Sequence, residues 1–262
     1  MYNFENKVTV VIPTYNSEKF IKRTLLSLEI QKELPDEIIF SDDGSEDNTI
    51  QIIELWAKEQ KKMKYKILKN HHKGPGNARN EGIINAQNNW IAFLDSDDTW
   101  YENKILEIKK AILSDKNINF IVHYELHEDL KGNRKEISKK LKDFENSNKN
   151  LTDYLYNSNI FSTSAVVCSK ELLLEKGLFD PDLPNGQDYE LWLRLSPIIK
   201  LHIIKKNLGI YYDRKNNITS RYYLKRIRSE LLICFKYMSY TKFRFFLLKL
   251  FKIFITKNWI KF

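Results

Sequence analysis

The chain has 262 residues, 42% of them hydrophobic and 29% charged, which suits an α/β domain with a large core plus an appendage and excludes a disordered chain. Cys168 and Cys234 lie far apart and form no metal or redox spacing, no signal peptide is read, and no run approaches the ~18 apolar residues of a membrane span, so a reducing cytoplasm is expected. The net charge of +9 is misleading as a global number: residues 221–262 hold eleven Lys or Arg against Glu230 alone, a charge of +10, and residues 1–220 sum to about −1. A near-neutral body argues against nucleic acid as a partner, and the tail needs an account of its own.

In chain order, residues 7–13 form a continuous apolar, β-branched run, the pattern of a buried strand. Ser17 is placed to cap a helix running to about Gln31, with Phe20, Ile21, Leu25 and Leu28 as its apolar face. Residues 37–41 read as a second buried strand ending at Asp42-Asp43-Gly44-Ser45. A helix follows from about Asp47 to Gln60, then a strand over 65–68. A loop with Gly74, Pro75 and Gly76 leads into a helix over about 77–87. The fourth strand, around 90–94, stops at Asp95-Ser96-Asp97-Asp98. This alternation predicts a mostly parallel sheet flanked by helices, a Rossmann-like α/β fold.

The second half is less regular. A helix is expected over 102–113, a strand over 118–126, a loop or exposed hairpin over 131–150, a strand over 163–168 and a helix from Lys170 to about Lys176. After the Pro- and Gly-marked loop that ends near Gly186, Leu191, Trp192 and Leu195 mark a short helix.

In parallel sheets ligands bind beyond the carboxyl ends of the strands. Those ends carry Pro13-Thr14-Tyr15-Asn16, Asp42-Asp43-Gly44-Ser45 and Asp95-Ser96-Asp97-Asp98, three polar, turn-forming clusters on one edge. Carboxylates packed as closely as Asp95, Asp97 and Asp98 are best tolerated around a divalent cation, and hard oxygen ligands favour Mg²⁺ or Mn²⁺, which bind phosphates. The bland alternative is an Asp-rich surface turn.

Five segments in order carry a resemblance: VTVVIPTYN, IIFSDDGSEDNT, GPGNARNEGI, WIAFLDSDDTW and NGQDYELWLRL. Together they resemble the family-2 glycosyltransferases, inverting enzymes of the GT-A fold, over roughly residues 7–220. The resemblance implies that Pro13, Thr14, Tyr15 and Asn16 lie against the nucleotide, with Tyr15 stacking on its base. It implies Asp42 and Asp43 on uracil or ribose, and backbone at Gly76 close to the nucleotide. Arg79 would reach the phosphates or buttress the acids. Asp95-Ser96-Asp97 would be the DxD motif, with Asp97 ligating Mn²⁺ or Mg²⁺ and Asp95 holding ribose or a metal-bound water. Asp98 would be a support.

An inverting displacement also needs a base for the acceptor hydroxyl. The resemblance assigns this to Asp188, in a Gln187-Asp188 pair where the family has Glu-Asp. The alternative for Asp188 is a helix N-cap, which would hold its pKa low. Where many members carry a His near the domain's end, this chain has Asp213-Arg214-Lys215, so Arg214 or Lys215 would face the diphosphate. His71 and His72 read as polar loop residues.

A domain boundary is expected near residue 220. In the tail, a helical wheel over 243–255 sets Phe243, Phe246, Leu247, Leu250, Phe251 and Phe254 against Lys242, Lys249 and Lys252, the pattern of a helix lying in an anionic membrane interface. The alternative is packing on the domain or on a partner. The expected function is transfer of a sugar from a nucleoside-diphosphate sugar, UDP first, to a glycan or glycolipid acceptor, at the inner face of the plasma membrane. The rival from the same acids is a Mg²⁺-dependent haloacid-dehalogenase-type phosphatase with Asp95 as nucleophile. A third reading is an inactive, membrane-recruited nucleotide-sugar-binding module.

Overall fold

A computed structural model describes residues 6–214, 223–241 and 243–256. Four parallel strands form its first half: β1 (Val8–Thr14), β2 (Glu37–Asp42), β3 (Tyr65–Lys69) and β4 (Trp90–Phe93), in the spatial order β3-β2-β1-β4. Every residue of β1, β2 and β4 is buried, the condition that the unbroken apolar runs anticipate. Because side chains alternate along a strand, β1 feeds two cores. Val8, Val10 and Ile12 face one, with α1 (Ile21–Glu29), α2 (Thr49–Glu59) and α4 (Lys104–Ser114); Val11 faces the other, with α3 (Pro75–Asn85). The close approach of α3 to β1 requires glycine at 82, where a Cβ would lie 2.4 Å from Val11 Cγ1.

The sheet then continues through strands of mixed direction. β8 (Val166–Ser169) pairs antiparallel with β4, and β6 (Phe120–Glu128) antiparallel with β8. β9 (Leu201–Tyr212) runs parallel to β6, and the two-residue β5 (Thr99–Trp100) closes that edge against β9. The segment read as a loop or hairpin contains β7 (Arg134–Glu136), which does pair with β6 as a hairpin, and also α5 (Lys139–Glu145). Four elements went unread: β5, β9, α5 and α6 (Leu151–Asn157). In β9 the apolar alternation is interrupted by Lys205-Lys206-Asn207, opposite register shifts in β6 at His123, Tyr124 and Glu125, which hides the period of 2.

α7 (Lys170–Lys176) and α8 (Gln187–Leu195) complete the second core, with Trp192 packed against Phe93, Phe120 and Phe179. The tail forms α9 (Tyr223–Lys236) and α10 (Phe243–Thr256). These helices do not stand apart from the body. Ile233, Cys234, Tyr237, Phe246 and Ile253 are buried in the same cluster as Trp192, and the Tyr156 hydroxyl donates to the Cys234 carbonyl at 2.7 Å. The wheel's sorting also differs from the one observed: Lys249 is buried inward while Leu247, Leu248 and Phe251 are exposed. Lys215 and Lys242 lie outside the described residues, and so do the side chains of Phe243, Lys252 and Phe254. Among the described residues no helix is long and apolar enough to cross a membrane.

Candidate active site

The parallel strands end at one edge, and there the acid-rich turn after β4 is held from beneath. Thr24 Oγ1 donates to the Ser96 and Asp98 carbonyls at 2.9 and 2.8 Å, and Arg23 grips the Asp97 carbonyl through Nε and a terminal nitrogen. Ser96 points inward, 2.8 Å from Ser17 Oγ. Ser17 is therefore not the cap of α1, which begins at Ile21, and its hydroxyl engages that of Ser96 instead. With the turn pinned through its carbonyls, the carboxylates are fixed in place.

Each of the three acids has its own partner. Asp95 Oδ1 meets the Arg79 guanidinium at 2.5 Å, so Arg79 buttresses the cluster. Asp97 pairs with Arg214, which β9 delivers to the rim. Asp98 accepts from Ser164 Oγ at 2.6 Å and from the Tyr212 amide at 3.3 Å, the support expected of it. Burial pushes the Asp97 carboxyl up to about 6, opposed by Arg214 and reinforced by Asp95. Burial, then Asp97 and Asp95, push Asp98 well above the carboxylate range.

Two guanidinium groups thus stand as cations against Asp95 and Asp97. A pair of carboxylates that already attracts cations fits a hard divalent ion, which takes its remaining ligands from water and phosphate. Among the described residues no group of three His, Cys, Asp or Glu side chains forms a closed metal site.

The other strand ends are more occupied than the sequence suggests. Asp42 accepts from Thr14 Oγ1 (2.8 Å), Ser45 Oγ (2.6 Å) and the amides of Gly44 and Ser45. That exhausts its four acceptor sites and makes Thr14 and Asp42 a staple between β1 and β2. Asp43 takes the Lys73 and Gly74 amides, each at 2.8 Å, and the His72 ring at 2.8 Å. Pro13 is buried in register with Ser41, and Asn16, at φ 45°, bridges Ser45 and Glu46. Tyr15 alone offers an open ring, 44% exposed and stacked on His72 at 4.2 Å. His72 is thus more than a polar loop residue.

Gly76 sits against the Gln187 side chain. A Cβ there would lie 2.6 Å from Gln187 Oε1, so its missing side chain makes room for Gln187, which itself donates to the Leu183 carbonyl at 2.8 Å. The Gln that replaces the family's Glu is a packing residue here.

Asp188 lies in the first turn of α8. The cap position belongs to Gly186, at φ 72°, so the capping alternative does not hold. Burial raises the Asp188 pKa, opposed by the Tyr189 amide, by Arg79 and by Asn159, while Asp95 adds to the rise. Asn159 Nδ2 donates to its Oδ2 at 3.0 Å. No sequence signal marked Asn159, which follows the unread α6.

Among the described residues, one cavity of about 700 Å³ joins these groups. Asp95, Asp97, Arg79 and Arg214 line it together with Asn159, Asp188 and, from the tail helices, Ser229 and Lys249. Tyr15, Asp42 and Asp43 do not line it.

Residues 9–175 match the model of glycosyl transferase family 2. The chain belongs to that family. An uncharacterized glycosyltransferase of Rickettsia conorii is 31% identical to this family-2 chain over 213 residues, covering 78% of the chain and 32% of the relative. The chain thus spans about a third of the length of that relative. The GalNAc(5)-diNAcBac-PP-undecaprenol beta-1,3-glucosyltransferase of Campylobacter jejuni is 27% identical over 219 residues, covering 81% of this chain and 67% of that protein. The crystal structure of S. aureus TarS 1–349 with UDP-GlcNAc superposes with a TM-score of 0.68 at 22% identity, over 88% of this chain and 66% of that one. This family-2 chain therefore has the GT-A fold, as its five motifs implied.

Proposed function

We propose that this chain is the catalytic domain of an inverting glycosyltransferase. It moves one sugar from a nucleoside diphosphate, UDP first, to a hydroxyl of a surface glycan or lipid-linked oligosaccharide. The observation that carries this reading is the single cavity lined by both Asp97 and Asp188. A single displacement needs a leaving-group clamp and, on the far side of the sugar, a base, and residues for both line this cavity. Family membership, a relative named for a lipid-linked acceptor and a fold shared with a UDP-GlcNAc-bound protein support it.

In the transfer, Asp188 takes the proton of the acceptor hydroxyl as its oxygen bonds to the anomeric carbon. The bond from that carbon to the diphosphate oxygen breaks, the electron pair leaves with the diphosphate, and configuration inverts. The raised pKa makes Asp188 a stronger base than an ordinary carboxylate. Arg79 and Arg214 set positive charge beside the acids, where negative charge develops on the leaving group. Asp97 and Asp95 would hold a Mn²⁺ or Mg²⁺ ion, which when bound supplies Lewis-acid stabilisation of the diphosphate. Tyr15, with His72 behind it, is the ring on which the nucleotide base stacks, and Asp43 holds the loop beside it.

The exposed face of the tail would lie on an anionic membrane. Leu232, Phe235, Leu247, Leu248 and Phe251 are each at least half exposed, within a segment that carries +10. An apolar face with basic flanks suits insertion at a headgroup boundary. The phosphatase alternative is disfavoured by Asp95 itself, whose Oδ1 is held by Arg79. Thermal-shift screening of UDP-, GDP- and dTDP-sugars with Mn²⁺ tests the reading. A UDP-sugar should raise the melting temperature and be consumed with release of UDP; no response to any of the three would overturn it.

A further inference from the structure

The tail helices reach the cavity through side chains that the transfer chemistry does not use. Ser229 and Glu230 of α9 line it, and so do Lys249 and Ile253 of α10. Ser229 is 1% exposed, and its hydroxyl has no hydrogen-bond partner among the described residues. A buried hydroxyl left without a partner costs free energy, so its presence on a cavity wall points to an occupant. Lys249 is buried as well, its ammonium 3.3 Å from the Asn157 carbonyl and 5.0 Å from the Tyr189 ring centroid.

The position of this wall fixes its role. Asp188 lines the same cavity as Ser229 and Lys249, and the ring of the next residue, Tyr189, lies 5.0 Å from the Lys249 ammonium. The base and the tail therefore face one space. The chemistry of the wall is mixed: a hydroxyl, a carboxylate and an ammonium. A phosphate accepts only and would be repelled by Glu230. A hydroxyl-rich sugar both donates and accepts, and matches the set.

Resting on the transferase reading, we propose that α9 and α10 form the acceptor subsite, with Ser229 and Lys249 as specificity-determining contacts to the acceptor sugar. The tail would then both face the membrane and select what is glycosylated. The orphaned hydroxyl gives the test a signature that a purely structural role lacks. Binding of octyl β-D-glucoside, β-D-galactoside and β-D-N-acetylglucosaminide to the UDP-loaded protein is measured by saturation-transfer NMR, with UDP affinity and melting temperature taken in parallel. The parent should bind at least one glycoside. Ser229→Ala should bind it about ten-fold more weakly while melting no lower than the parent, since it removes an unpartnered polar group. Lys249→Met should also weaken binding, with circular dichroism checking its fold. Absence of glycoside binding to the UDP-loaded parent, or equal binding by Ser229→Ala, would overturn the proposal. A parent that binds neither UDP nor a UDP-sugar would overturn the transferase reading instead.

Discussion

Asn159 donates to Asp188 Oδ2 at 3.0 Å, so the residue proposed as base is oriented by a neighbour from the loop after α6. That bond favours the charged carboxylate, and burial works against it. The balance leaves the carboxyl above its ordinary range, where it is a better proton acceptor.

Asp188→Asn should lower sugar transfer by roughly 10²–10⁴-fold and leave UDP affinity within a few fold. The acid limb of the parent's pH–rate profile should lie above the ordinary carboxylate range. Asn159→Ala removes a bond that lowers the pKa, so its acid limb should move to higher pH. Steady-state kinetics over pH check both, and full transfer by Asp188→Asn would sink the assignment.

The Asp97 carboxyl sits at about 6 in the folded chain against 3.8 ordinarily. Between these values the folded chain keeps a proton that the unfolded chain releases. This contribution to stability is complete below pH 4 and lost as pH rises through 6. Asp97→Asn carries no such proton. In EDTA it should therefore gain on the parent between pH 4 and pH 7 in urea melts. A gap that stays constant with pH would contradict the burial argument.

Arg214→Gln leaves Asp97 without its guanidinium. The metal-free protein should lose roughly 1–3 kcal/mol, less than the full cost of breaking a buried pair because Arg214 is partly exposed. The gain in melting temperature on adding Mn²⁺ should be larger than in the parent. An equal gain would argue that Asp97 does not meet the ion.

Two glycines separate rigid from yielding neighbours. Gly82→Ala drives a methyl into Val11 on β1 and should cost roughly 1–3 kcal/mol, partly rescued by Val11→Ala. Gly76→Ala meets only the end of the Gln187 side chain, which can swing away, and should cost less. Thermal melts of the three variants rank them.

Leu247→Asp with Phe251→Asp should abolish sedimentation with phosphatidylglycerol vesicles. Both side chains are at least half exposed, so the melting temperature should change by only a few degrees. Parent binding should weaken as salt rises. Undiminished sedimentation of the double variant would remove the membrane reading of this face.

The chain's local pattern specifies the parallel half of the sheet, its helices and the edge where the acids gather. Those features are local: unbroken apolar runs for buried strands, a helical period between them and turn-forming polar residues at each end. It also marked Asp97 and Asp188, because their motifs are contiguous. Which of these groups already have partners depends on how the distant segments fold together. Asp42 is saturated by Thr14, Gly44 and Ser45, Ser96 turns inward to Ser17, and Gly76 yields its space to Gln187. Hydrogen bonds between residues 28 or 79 apart leave no trace in a local pattern. The same holds for Arg214, carried to Asp97 by a strand whose period is broken by a bulge, and for the tail. Its composition spoke for a membrane surface, yet packing turned Lys249 and Ser229 into the cavity beside Asp188. Burial on one face of a helix depends on what lies opposite, and that is set by the folded chain.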